Sequence, residues 1–161
     1  MRDCTRRGLL AVAAVSLGSV GVALVSQYQF DMLPCPWCTF QRLLYLVVGA
    51  LALAAALLPG LARRLLAGLA ALVALGGVAA AYWQHFHAAT EASCNLTLAD
   101  KILKQLGLFD LAPSVFAPMA SCADASINLL GVPYAIWSLV LFAALAAALV
   151  RLTLRPCGAS S

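Results

Sequence analysis

Six cysteines stand out in this chain of 161 residues. Two of them form a CxxC, Cys35-Pro36-Trp37-Cys38. Such a pair closes a small disulfide, and the motif favours the thiolate, which is both nucleophile and metal ligand. A redox pair, half of a zinc site and a chance pairing are all open to it. Arg42 follows Cys38 by four residues, so on a helix the two share a face. Beside a thiolate the guanidinium would stabilise the anion. An arginine in an apolar span is costly unless it is paired or used. The plain alternative is a side chain snorkelling to lipid headgroups, and the Cys38 spacing favours the thiolate role.

Cys94 and Cys122 bracket residues 95–121. A bridge between them would stabilise a loop by about 3–4 kcal/mol on the chain-entropy account, a purely structural role. Cys35, Cys38, His85 and His87 have the ligand types of tetrahedral zinc. The spacing of His85-Phe86-His87, however, turns the two rings to nearly opposite sides of a helix, so no metal is expected. One histidine, His85, would serve a redox centre as donor or proton carrier. It also reads as an interfacial residue beside Tyr82 and Trp83.

The elements that carry these residues are set by composition. Of the chain, 64% is hydrophobic and 10% charged, with a mean hydropathy of +0.97. Soluble domains carry about 25% charged residues, and disorder needs the opposite composition. No basic stripe with interleaved aromatics marks a nucleic-acid surface. Four charge-free runs cover Gly8 to Phe30, Leu43 to Ala62, Leu65 to Gln84 and Ala125 to Val150. A membrane helix needs about 20 apolar residues, and lipid forces backbone groups to bond internally. The expected fold is all-α: one integral membrane four-helix bundle over 1–161, with spans near 8–27, 41–60, 65–83 and 132–150. Pro133 is placed to open the last helix in its first turn. The Gly/Ala-rich stretches Gly49 to Ala56 and Gly68 to Ala81 allow close helix packing. Thr97 to Leu108 reads as a short amphipathic helix with Leu98, Ile102, Leu103 and Leu106 on one face, Thr97 and Asp100 having capping-box-like spacing. It is expected on the membrane surface or on the outer end of the bundle.

Arginines set the orientation. Arg2, Arg6 and Arg7 precede the first span, Arg63 and Arg64 separate the second from the third, and Arg151 and Arg155 follow the fourth. Asp31, Glu91, Asp100, Asp110 and Asp124, against Lys101 and Lys104, make the other side acidic. Both termini are therefore expected in the cytoplasm, with loops near 28–40 and 84–131 on the far side. The arginines and the apolar run to Ser26 also resemble a cleaved signal peptide. That run is long for one, and no small-x-small site follows it. This topology puts Cys4 and Cys157 where thiols stay reduced. The other four cysteines share one outer layer, where two dithiols can exchange electrons through mixed disulfides.

Pro34-Cys35-Pro36-Trp37-Cys38 followed by Gln41-Arg42, with four spans and the Cys94 and Cys122 pair in the second outer loop, resembles the DsbB family of membrane thiol oxidases. The resemblance covers nearly the whole chain. It implies a bacterial inner-membrane protein that reoxidises a DsbA-like periplasmic thioredoxin-fold oxidase and passes two electrons to a membrane quinone, ubiquinone or menaquinone. It implies that the partner's thiolate attacks Cys94, that Cys122 then exchanges with Cys35, and that Cys38 is left as the thiolate facing the quinone. Arg42 would stabilise that thiolate and the charge developing on the quinone, with His85 as a further quinone-side residue. Two other classes stay open. A vitamin-K-epoxide-reductase-like enzyme has a similar bundle, but there the CxxC comes after the loop cysteines. A non-enzymatic scaffold with a structural loop disulfide leaves the spacing of Arg42 unexplained.

Overall fold

The computed structural model describes residues 2–88, 98–121, 128–129 and 131–154. The charge-free runs fold as long helices: α1 (Arg2–Gln29), α2 (Pro36–Leu57), α3 (Gly60–Phe86) and, at the end of the chain, α7 (Tyr134–Leu154). All four are long and apolar enough to cross a membrane. Three short helices lie between α3 and α7: α4 (Leu98–Gln105), α5 (Leu108–Leu111) and α6 (Pro113–Phe116). A small antiparallel ladder joins β1 (Asn128–Leu129) to β2 (Val132–Pro133), pairing Asn128 with Pro133. The turn between the strands uses Gly131 at φ 80°, a conformation that side chains resist.

Helix ends depart from the expected spans because prolines, not hydrophobicity, fix them. Pro36 supplies the first turn of α2, five residues ahead of the expected span, where its missing N–H costs nothing. At the other end Leu58 turns to ψ 144° just before Pro59, the extended state that a following proline imposes. Pro133 does not open the last helix: it sits in β2, and α7 starts one residue later.

Packing follows side-chain size. Helix α2 lies between α1 and α3, α3 runs along α7, and α1 touches α7 only sparsely. Alanines Ala67, Ala70, Ala71 and Ala74 of α3 are buried, as are Ala52, Ala55 and Ala56 of α2. Glycine allows the closest approach: a Cβ on Gly77 would run into the Phe142 ring, and one on Gly49 would lie 2.9 Å from Leu17. Gly68 and Gly76, in the same small-residue stretch, face open space. The Phe142 ring stacks on Tyr45 with centroids 3.9 Å apart.

Helix α4 ends earlier than expected, and only part of the expected face, Leu103 with Ile102 half-buried, turns inward. It ends before Gly107, at φ 66°, and Thr97 lies outside the described residues. Ala99 and Leu103 are fully buried, whereas Leu98 and Leu106 are 63% and 58% exposed. The helix packs on the outer end of α2, with Ala99 joining Cys35, Trp37 and Ala80 in one cluster. Cys4, expected as a reduced thiol, is disulfide-bonded. The start of α1 and the end of α7 converge there, for a Cβ on Gly8 would come within 2.9 Å of Leu152.

Candidate redox site

The CxxC forms the start of α2. Cys35 is the N-cap, in extended conformation at φ −85° and ψ 167°. Its Sγ accepts the backbone N–H of Cys38 at 3.2 Å, satisfying one of the donors that a helix start leaves unpaired. Thr39 closes the turn, its hydroxyl donating to the Pro36 carbonyl at 2.9 Å. Cys35 and Cys38 stand as two thiols with no disulfide between them. Cys35 has no exposed surface; Cys38 is half-buried and opens on a cavity.

That cavity encloses about 670 Å³. Its walls come from α1, from the segment before α2, from the first turns of α2 and from α7, at the seam where α1 and α7 barely touch. Val15, Gly18, Val22, Val140 and Leu141 make one end apolar; Cys38, Arg42, Gln41, Tyr134 and Ser138 collect at the other. An apolar slot with a few convergent polar groups is the common form of a small-molecule site.

Arg42 does not snorkel. It is 6% exposed. Its guanidinium donates to Gln27 Oε1 at 2.7 Å, to the Val115 carbonyl at 3.0 Å and to the Ala23 carbonyl at 3.5 Å. Gln27 is held in turn, its amide donating to Met119 Sδ at 3.8 Å. Helix α1 and the short helix α6 thus fix the cation at the cavity wall, one helical turn below Cys38.

The structure brings Cys35, Cys38 and Arg42 together and leaves His85 out. His85 is half-buried, sets its ring edge-on to Phe86 at 4.7 Å and does not line the cavity. His87 stacks on Trp83 at 4.3 Å. Cys94 and Cys122 lie outside the described residues. The segment leading to Cys122 is placed: Met119 and Ala120 both donate backbone N–H to the Pro34 carbonyl, at 2.9 and 3.3 Å, next to Cys35. Among the described residues no three His, Cys, Asp or Glu side chains gather to hold a metal ion.

Sequence reasoning missed the residue that touches the sulfurs. Gln84, one position before His85, is 7% exposed and points its Nε2 at both thiols, 3.4 Å from Cys35 Sγ and 3.1 Å from Cys38 Sγ. Gln41, Ser138 and Tyr45 extend this contact away from the sulfurs. The available signal was polarity inside apolar runs, since an amide in a membrane helix needs a partner.

Comparison with known proteins agrees with this layout. The family described as "Disulfide bond formation protein DsbB" matches residues 5–152. Disulfide bond formation protein B of Chromobacterium violaceum is 35% identical over 144 residues, 86% of each chain. That of Cupriavidus metallidurans is 32% identical over 141 residues, 87% of each. That of Ralstonia nicotianae is 32% identical over 156 residues, 96% of this chain and 98% of its own. A match that long takes in all four long helices and the thiol pair between the first two, and the chain belongs to the DsbB family, as a multi-pass inner-membrane oxidoreductase of disulfide bond formation.

Proposed function

We propose that this protein oxidises a DsbA-like periplasmic thioredoxin-fold dithiol and delivers its two electrons to a membrane quinone. The observation that carries the reading is the apolar cavity onto which Cys38 and Arg42 both open. Its polar end suits carbonyl oxygens and its apolar arm suits a hydrophobic tail. A quinone bound there supplies a sink for two electrons and two protons. The chain's own residues do the rest. The partner's thiolate attacks Cys94 of a Cys94–Cys122 disulfide, forming a mixed disulfide and releasing the Cys122 thiolate. The partner's second thiol displaces Cys94 and leaves oxidised partner. The Cys122 thiolate attacks Cys35 of a Cys35–Cys38 disulfide, and Cys38 departs as a thiolate with the bonding pair. Cys94 then displaces Cys35, which restores the loop disulfide and leaves the Cys35–Cys38 dithiol. Reforming that disulfide surrenders two electrons and two protons to the cavity.

Two features support the route. The backbone of Met119 and Ala120 is pinned to Pro34, so the chain segment entering Cys122 runs beside Cys35. Arg42, immobilised by three acceptors, supplies fixed positive charge where negative charge develops. His85 has no place in this route. The arginine asymmetry orients both termini toward the cytoplasm and the thiol end toward the periplasm.

The test is quinone reduction by the purified chain with a reduced thioredoxin-fold partner, followed by quinone absorbance. Turnover that disappears in Cys38→Ala is the expected result. Oxidation of the partner without quinone reduction, or turnover that survives Cys38→Ala, would overturn the reading.

A further inference from the structure

A directed hydrogen-bond chain runs across the bundle to the sulfurs. Ser138 Oγ donates to Gln41 Oε1. A serine has one proton, here given to Gln41, so the Tyr45 hydroxyl supplies the proton on its side and shares it between the Ser138 carbonyl at 3.2 Å and Ser138 Oγ at 3.1 Å. With its oxygen engaged by Ser138, Gln41 turns its Nε2 toward Gln84 and donates to Oε1. With its own oxygen engaged, Gln84 turns its Nε2 to Cys35 and Cys38. Every amide in the chain has its orientation set by the neighbour before it. Three helices contribute: α7 gives Ser138, α2 gives Tyr45 and Gln41, and α3 gives Gln84. Gln84 does not line the cavity, so it reaches Cys38 from elsewhere than the cavity onto which Cys38 and Arg42 open.

We propose that Gln84 is a catalytic residue that stabilises the Cys38 thiolate through its amide N–H, and that Gln41, Ser138 and Tyr45 are positioning residues that hold this amide donor-first. The proposal rests on the thiol-oxidase reading for its place in turnover. In that sequence Cys38 departs with an electron pair when Cys122 bonds to Cys35, and the amide meets the charge as it forms. Hydrogen bonds to ionised groups are about twice as strong as neutral ones, and a dry site strengthens them. Among the described residues the ionisable neighbours of Cys38 are Cys35 at the N-cap of α2, Arg42 on α2 and Tyr134 on α7, which shares its cavity. Gln84 is the neutral one, so its donor stays in place at every working pH.

The experiment is alkylation of the reduced full-length protein by iodoacetamide, with Cys38 modification located by mass spectrometry. Only thiolate reacts. Gln84→Met keeps the volume and removes the donor. It should slow Cys38 alkylation about tenfold at neutral pH, the worth of one charge-assisted hydrogen bond. At pH 10 it should match the unmodified protein. Ser138→Ala, remote from the sulfurs, should give the same pattern with a smaller loss, because Gln41 and Gln84 can then turn over. Equal neutral-pH rates in either folded variant, or a loss that persists unchanged at pH 10, would overturn the proposal. The assay needs neither partner nor quinone, so failure of the oxidase reading would show separately, as absent quinone reduction by a protein whose alkylation still depends on Gln84.

Discussion

Helix α7 makes two seams that are built in opposite ways. Against α3 it packs until the Phe142 ring fills the place where a Cβ on Gly77 would stand. Against α1 it leaves a cavity of about 670 Å³. Both seams contain glycine. Gly77 is a contact that no larger residue could make; Gly18, on the cavity wall of α1, has nothing within 4 Å of its missing Cβ. Small residues in membrane helices permit close approach, but they serve equally to keep space open. Composition alone does not tell the two apart. The tight seam holds the bundle; the loose seam takes the ligand in our account.

Loss of the tight seam should be the most damaging change. Phe142→Ala empties a fully buried ring site and removes the stacking partner of Tyr45. It should cost about 3 kcal/mol, seen as a lower melting temperature in detergent. Next comes the polar end of the loose seam. Arg42→Met should leave the partner's exchange with Cys94 intact while raising the quinone KM roughly tenfold to a hundredfold, the worth of a charge-assisted contact at about 1.5–3 kcal/mol. Arg42→Lys should fall between, since lysine keeps the charge and loses the planar fork. Gly18→Leu sharpens the contrast: filling empty space should raise the quinone KM several-fold without lowering the melting temperature. The smallest effects lie away from both seams. Cys4→Ser, Cys157→Ser and His85→Ala should keep oxidase turnover near that of the unmodified protein. A large loss in any of them would mean that residues outside the loose seam carry electrons or protons.

The four long helices were legible because lipid admits few backbone solutions, and charge-free runs mark them. The thiol pair and Arg42 were legible because CxxC and a spacing of four are strong local patterns. The loop cysteines Cys94 and Cys122, expected as a pair, lie outside the described residues. Gln84 was not legible. Histidine is the residue type that suggests proton transfer, yet adjacent residues on a helix point about 100° apart, so His85 and Gln84 face different neighbours. The backbone phase that aims Gln84 at the sulfurs is set by how α3 seats on α2 and α7. Gln27 and Ser138 escape for the same reason, and Gln41 is visible only as part of the extended CxxC motif: uncharged polar side chains carry no spacing signature, and their partners come from other helices. The expected face of α4 holds at Leu103 and fails at its two ends, where Leu98 and Leu106 match the helical period but stay exposed while Ala99 is buried.

We propose that the electron acceptor binds in the loose seam between α1 and α7, against Cys38 and Arg42. A photoactivatable quinone cross-linked to the purified chain, with the labelled peptides mapped by mass spectrometry, tests it directly. Label is expected on cavity-lining residues of α1 and α7, such as Val22 and Trp137, competed away by unmodified quinone and weakened in Arg42→Met. Competable label confined to the α2–α3 or α3–α7 seams would contradict it.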